Sequence, residues 1–233
     1  MEGLFICNEK EITMLIDFRT LFPKYGIKPT GVLHIGGNVG EEFPVYMELG
    51  IKKQIWIEPN PTIFEKLVEN ISSNPEAKAF NFCAGDEDKD VILHESNNAG
   101  QSSSILELGT HKIAHPDVHY VRDIPSQMKR LDNFFNPQLS EFPIWETILH
   151  GQFSVFDFLN IDIQGAELLA LKGMGELLHQ FKWCYLEVNK ASLYVGCALV
   201  EEIDEYLAKF GFERTETLWA GNTNWGDALY IKK

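Results

Sequence analysis

Val32-Leu33-His34-Ile35-Gly36-Gly37-Asn38-Val39-Gly40-Glu41 decides how this chain is read. A short run of branched and bulky residues breaks abruptly into a bend rich in glycine, which predicts a β-strand with a sharp turn at its end. A helical segment follows to about Leu49. Gln54-Ile55-Trp56-Ile57-Glu58 reads as a second strand. The next helix has a clear start, because Asn60 can cap it and Pro61 suits the first helical position. Its residues Ile63, Phe64, Leu67, Val68 and Ile71 fall three and four apart and predict one buried face.

The same alternation continues. Lys78 to Cys83 reads as a third strand ended by Ala84-Gly85-Asp86, and Val155 to Ile161 as a fourth that runs into Asp162-Ile163-Gln164-Gly165. A helix with Leu168, Leu171 and Leu178 on one face comes next, then a fifth strand from Trp183 to Val188. A helix marked by Ala198 to Phe210 stops at Gly211, and Phe212 to Leu218 with Asp227 to Ile231 forms a closing antiparallel pair. Strands alternating with helices predict an α/β fold: a mostly parallel sheet with helices on both faces. Residues 86–154 break the rhythm. They are rich in His, Ser, Asn and Pro with short strand-like pieces (Val91 to Leu93, Val118 to Val121), and are expected to be an insertion over the carboxyl edge that shapes an acceptor site. The whole of 1–233 is read as one domain, with 1–30 as an N-terminal helical extension.

The chain has 233 residues, 45% of them apolar and 23% charged, a composition that excludes intrinsic disorder. Twenty basic against 34 acidic residues leave a net charge of −14, a field that repels phosphate backbones and argues against a nucleic-acid partner. Four scattered cysteines form no Cys-x-x-Cys pair, and Cys83 and Cys184 lie in apolar runs as buried thiols. Met1 to Glu11 lacks the basic and apolar regions of a signal peptide, and no apolar stretch of ~18 residues is present, so a cytoplasmic protein without a membrane span is expected.

In an open parallel sheet, ligands bind beyond the carboxyl ends of the strands. Four predicted strand ends carry notable residues: the bend from Gly36 to Glu41, then Glu58, Ala84-Gly85-Asp86, and Asp162. Glu58 lies 22 residues after Gly36, the interval at which an acid reaches a ribose diol. A dinucleotide phosphate loop would need glycines at 36, 38 and 41, where this chain has Gly36, Asn38 and Glu41. Glu41 would repel a pyrophosphate, and none of the seven tyrosines has a lysine four residues on. A nucleoside carrying an amino acid and a sulfonium meets no such repulsion. S-adenosylmethionine fits these residues, and NAD fits poorly.

Five blocks in order, His34 to Glu41, Ile57 to Pro61, Arg130 to Asn133, Ile161 to Glu167 with Leu171 to Gly173, and Trp225 to Ile231, resemble the FkbM family of S-adenosylmethionine-dependent methyltransferases. The resemblance implies a Rossmann-like class I methyltransferase fold with a seven-stranded sheet and a C-terminal antiparallel hairpin. It also implies O-methylation of a hydroxyl on a carbohydrate or other natural-product acceptor. On these positions Gly36, Asn38 and Gly40 would wrap the methionine part of the cofactor, with His34, Gly37 and Glu41 in the same binding set. Glu58 would hold the ribose, Pro59 and Asn60 would stand beside the adenine, and Ala84 and Gly85 would flank its other side. Ser103, in a serine-bearing loop, would touch cofactor or acceptor. His34 occupies a place where many such enzymes carry an acid, which shifts the work of facing the methionine amine to Asp162 or to backbone carbonyls.

An alcohol must lose its proton as it attacks, so a nearby base helps. Asp162 is the first candidate and Glu187 the second. Two alternatives stay open: a metal-assisted transferase in which Asp162 helps hold a divalent cation, and a non-catalytic scaffold that keeps the cofactor cleft. No metal ligands are assigned. His111, His115 and His119 recur every four residues, but Pro116 interrupts a helix there and they read as solvated loop residues. Glu167 reads as a charge at a helix terminus, and Trp225 as core packing.

Overall fold

A computed structural model of the chain describes residues 15–136 and 153–233. Residues 1–14 of the expected N-terminal extension and residues 137–152 of the expected insertion lie outside the described residues. Among the described residues, no helix is long and apolar enough to cross a membrane.

The main sheet contains β1 (Gly31–Ile35), β2 (Lys53–Ile57), β3 (Ala77–Phe80), β7 (Phe158–Ile161), β8 (Trp183–Asn189), β9 (Phe212–Trp219) and β10 (Trp225–Lys232). Its spatial order is β3-β2-β1-β7-β8-β10-β9, and every neighbouring pair is parallel except those made by β10, which runs antiparallel to both β8 and β9. The fold is Rossmann-like. From β1 the chain steps outward through β2 and β3, then returns to place β7 on the other side of β1. The order therefore reverses between β1 and β7, where such sheets open a crevice.

Every residue of β1 and β7 is buried, as strands covered on both faces require. Successive side chains point to opposite faces, which separates two cores. Leu33, Ile35, Ile57, Leu159 and Ile161 pack with α6 (Glu167–Met174) and α7 (Val200–Ala208) through residues such as Leu171 and Ile203. Val32, Trp56 and Phe158 pack on the other side with α1 (Phe18–Tyr25), α2 (Phe43–Glu48) and α3 (Pro61–Ile71) through Phe18, Tyr46 and Leu67. Asn60 caps α3 as expected, accepting from the N–H groups of Thr62 and Ile63. Ile63, Leu67 and Ile71 are buried, whereas Val68 faces outward.

Two sequence expectations are corrected here. The third strand does not run from Lys78 to Cys83. It ends at Phe80, and Cys83–Ala84 is a separate strand, β4, in a small second sheet. The break falls at Asn81, whose side-chain amide donates to the carbonyls of Glu58 and Pro59 (2.8 and 2.9 Å) and ties the chain across the end of β2 as it leaves the main sheet. The strand-like pieces of residues 86–154 are also longer than expected: β5 (Lys89–Ser96) and β6 (Tyr120–Lys129) form an antiparallel ladder, with β6 central between β4 and β5. Their mixed burial and Pro125 within β6 hide the strand pattern in the sequence.

This second sheet is joined to α6 at a contact with no room for a side chain. A Cβ on Gly173 would lie 1.8 Å from the Gly85 carbonyl oxygen, and one on Gly85 would lie 2.2 Å from Met128 Sδ. In a helix, alanine is intrinsically better than glycine by about 1 kcal/mol, so a loss on Gly173→Ala reports the clash alone. The expected outcome is destabilisation of about 1–3 kcal/mol, the usual cost of overpacking, read as a lower urea midpoint. An unchanged or raised midpoint would mean that the two elements do not meet there.

Candidate active site

A cavity of about 890 Å³ opens at the carboxyl ends of β1, β2, β7 and β8. Its floor depends on the glycine bend. Gly36 has φ +86° and, with Gly37, donates to the carbonyl of Ile57 (2.9 and 3.0 Å). A Cβ on Gly36 would lie 1.7 Å from the Asp162 carbonyl oxygen, so only glycine lets the ends of β1 and β7 come this close. Asn38 follows at φ +41°, and its N–H donates to Glu58 Oε2 (3.0 Å) while the N–H of Asn60 donates to Oε1 (2.8 Å). One carboxylate thus clasps the bend to the start of α3. Burial pushes its pKa up to about 7. Asn38 Oδ1 is buried without a hydrogen-bond partner, an unmet acceptor in the bend.

His34 lies inside the floor. Its ring stacks on Trp56 (4.5 Å between centroids) and meets the Tyr46 hydroxyl (3.2 Å). Burial pushes the imidazole down to about 3, so the ring is neutral.

On the other side of the bend, Gln164 organises the acids. It sits at φ +54°, a left-handed conformation that carries strain in a residue with a side chain. Its Nε2 donates to Asp162 Oδ1 (2.7 Å) and to Glu187 Oε2 (2.8 Å), and its Oε1 accepts from the Tyr194 hydroxyl (2.6 Å). Burial, and then the negative charge of neighbouring carboxylates, push the Asp162 and Glu187 carboxyls well above the usual range. Asp227 Oδ2 accepts from the Tyr185 hydroxyl (2.7 Å) and the Leu15 N–H (2.8 Å), and burial raises it to about 6. Glu167 proves to be a turn lock: its Oε1 accepts from the N–H groups of Ile163 and Gly165 just before α6, and burial raises it to about 7.

Of the residues singled out in the sequence, His34, Gly36, Asn38, Glu41, Glu58, Pro59, Ala84, Ser103, Asp162 and Glu187 line this one cavity. Gly37, Gly40, Asn60 and Gly85 do not. Gly37 packs on Trp56, Gly40 on Leu67 and Gly85 on Met128, while Asn60 caps α3 and donates to Glu95 (2.8 Å). Ser103 Oγ accepts from the Ser96 N–H (3.1 Å), which folds the serine loop over the cavity.

Sequence reasoning missed Gln164, Tyr194 and Asp227 as cavity residues. Asp227 stood inside a quoted block, but Tyr194 carries no local signal. Two further expectations change. Trp225 packs against the cluster of Leu108, Leu193, Tyr194 and Cys197, yet it also lines the cavity. The histidines are not all solvated: His119 is exposed, but His115 is half-buried and His111 is buried, and both line the cavity from α4 (His111–Ala114). Among the described residues, no group of three or more His, Cys, Asp or Glu side chains is arranged to hold a metal ion.

The donor set suits the ligand that the sequence pointed to. S-adenosylmethionine carries an ammonium and a sulfonium, and Asp162, Glu187 and Asp227 offer buried carboxyls to cationic groups. Glu58 and Asn38, whose buried Oδ1 has no partner, line the same cavity.

Comparison with known proteins identifies the family. Residues 34–214 match the methyltransferase FkbM domain. The chain is 24% identical over 186 residues to the 2-O-methyltransferase NoeI of Sinorhizobium fredii (strain NBRC 101917 / NGR234), covering 77% of this chain and 71% of that protein. Similar solved structures include a SAM-dependent methyltransferase from Aquifex aeolicus (14% identity, TM-score 0.48, 93% of this chain and 90% of that one). Another is magnesium protoporphyrin IX methyltransferase from Synechocystis PCC 6803 with bound SAM (10% identity, TM-score 0.47, 91% of this chain and 75% of that one). The domain match spans well over half of the chain, which therefore belongs to the FkbM family of S-adenosylmethionine-dependent methyltransferases.

Proposed function

We propose that this enzyme methylates a hydroxyl of an uncharged small molecule of the carbohydrate kind. The observation that carries this reading is the charge of the cavity. Glu41, Glu42, Glu58, Asp162, Glu187 and Asp227 line it, and among the described lining residues there is no lysine or arginine. A phosphorylated acceptor would bring further negative charge among these acids, whereas a neutral polyol would not. The wall contributed by Asn98, Gln101, Ser102, Tyr194 and Trp225 offers amides, a hydroxyl and aromatic faces, groups suited to a sugar ring. The relative from Sinorhizobium fredii, a 2-O-methyltransferase by name, supports oxygen as the acceptor atom.

When bound, S-adenosylmethionine supplies an electrophilic methyl group on a positively charged sulfur. In this reading Asp162, Glu187 and Asp227 hold the cationic part in place, and Glu58 holds the ribose hydroxyls. The serine loop and Trp225 bring the acceptor oxygen into line with the methyl group. Metal assistance is not favoured, because Gln164 Nε2 points a donor at both Asp162 and Glu187 and competes with a cation for their oxygens.

The direct test is transfer of isotopically labelled methyl to a panel of methyl pyranosides, run beside their phosphorylated counterparts and in excess chelator. Transfer to neutral members, undiminished by chelator, is expected. Transfer confined to phosphorylated sugars would overturn the reading, and tight cofactor binding with no turnover on any acceptor would favour a scaffold. Glu58→Ala should weaken cofactor binding by about 1–3 kcal/mol, the usual worth of a hydrogen bond to a charged group, measured by calorimetry; unchanged affinity would contradict its ribose role.

The buried acids also set a pH dependence. Glu58 and Glu167 titrate near 7 and Asp227 near 6 in the folded chain, all raised above ordinary carboxylates. These three carboxyls therefore hold more protons in the folded than in the unfolded state from roughly pH 4.5 to 7, and His34 and His111, held down by burial, oppose them only below about pH 6.5. The stability this contributes is complete at the low end and is lost as pH rises through about 7. The ligand-free enzyme should melt at a higher temperature at about pH 5.5 than at about pH 8. Glu58→Gln should narrow the gap, as should bound cofactor through its positive charge. A melting temperature that climbs between those pH values would contradict the placement of these acids.

A further inference from the structure

One basic group in the cavity has unused hydrogen-bonding capacity. His111 opens α4, lines the cavity and is only 5% exposed, yet its Nδ1 has no hydrogen-bond partner. Its backbone is pinned, since its N–H donates to the Leu193 carbonyl (3.1 Å) and its own carbonyl accepts from His115 (2.8 Å). Its ring packs between those of His115 (4.8 Å between centroids) and Tyr194 (5.3 Å). A buried polar atom left idle costs stability unless something else satisfies it.

The carboxyls of Glu58, Asp162, Glu187 and Asp227 are already engaged. Glu58 holds two backbone N–H groups, Asp227 holds a tyrosine hydroxyl and a backbone N–H, and Asp162 and Glu187 share the Gln164 amide. His34 is stacked into the floor on Trp56. In the proposed reading, Asp162 and Glu187 also serve as counter-ions to the cofactor and would lose that role by taking up a proton. His111 comes instead from α4, outside the main sheet, and its ring meets the acids' side of the cavity only through Tyr194 and Gln164.

We propose that His111, rather than Asp162 or Glu187, takes the proton of the acceptor hydroxyl, an inference that rests on the neutral-hydroxyl reading given above. The hydroxyl oxygen forms the new O–C bond with the sulfonium methyl as the C–S bond breaks. The electron pair of that bond stays on sulfur, and the hydroxyl proton passes to the imidazole. Burial and the neighbouring His115 hold His111 down at about 4, so the ring is neutral and able to accept. A base this weak suffices, because the attacking oxygen becomes strongly acidic as the new bond forms.

The test compares wild type, His111→Gln and the exposed-residue control His119→Gln on the methyl pyranoside panel, with cofactor affinity measured by calorimetry. His111→Gln should lose about 100–1,000-fold in kcat, within the range of general base catalysis, with KM and cofactor Kd within about threefold of wild type. His119→Gln should be unchanged. In ¹H–¹⁵N spectra of the wild type loaded with S-adenosylhomocysteine, an accepted pyranoside should shift the His111 imidazole signals and leave those of His119 in place. Should His111→Gln fail to fold, the spectra decide on the wild type alone. Retained kcat in His111→Gln, or no shift at His111 with an accepted pyranoside, overturns the assignment and leaves the acceptor reading standing. No transfer to any pyranoside by the wild type defeats the acceptor reading and this inference with it.

Discussion

Several carboxyl groups buried together at the carboxyl edge of a parallel sheet, with no basic side chain among the described cavity residues, form the constraint on which the site depends. Taking one such group out of water is expensive, and placing others nearby compounds the cost. The fold offsets this with donors that carry no full charge. Backbone N–H groups serve Glu58 and Glu167, a tyrosine hydroxyl and a backbone N–H serve Asp227, and one amide serves both Asp162 and Glu187. Each donor fixes a geometry and brings no full positive charge, so burial still raises these carboxyls. A lysine would have satisfied the acids more cheaply and filled the place of a cationic ligand.

Much of this was legible because it is local. β1 breaking into Gly36-Gly37, Asn60 with Pro61 opening α3, and acids at the ends of β2 and β7 are short-range signatures, and the structure places them at neighbouring strand ends. The errors fell where one segment answers to a distant one. Lys78 to Cys83 reads as a single strand until Asn81 finds the carbonyls of Glu58 and Pro59. Gly85 sits at a predicted strand end, yet Met128 and Gly173 take the space beside it. His111 looked like one of three loop histidines because the aromatic neighbour it packs against, Tyr194, lies 83 residues away in sequence. Glycine records that something comes close without recording what.

The two walls of the cavity differ in chemistry because they differ in origin. Strand ends supply acids at positions fixed by sheet register, a rigid arrangement suited to an invariant cofactor. The segment after β4 supplies serines, amides and histidines on loops, a helix of four residues and the hairpin, an arrangement that can change with the acceptor while the sheet stays as it is. The hairpin is nonetheless tied to the rigid half: Glu95 of β5 accepts from the Asn60 side chain at the start of α3 and pairs with Arg122 of β6.

Gln164 joins the halves more directly. Its amide nitrogen holds the Asp162 and Glu187 carboxyls, its amide oxygen holds the Tyr194 hydroxyl, and its backbone carbonyl accepts from Ser104 Oγ (2.8 Å). Tyr194 in turn packs against the His111 ring. The two acids are therefore held by the same residue that positions Tyr194 and the serine loop. The left-handed backbone at Gln164 is the cost of pointing one residue at all four groups. The charged half and the half proposed for the acceptor thus share one strained anchor residue.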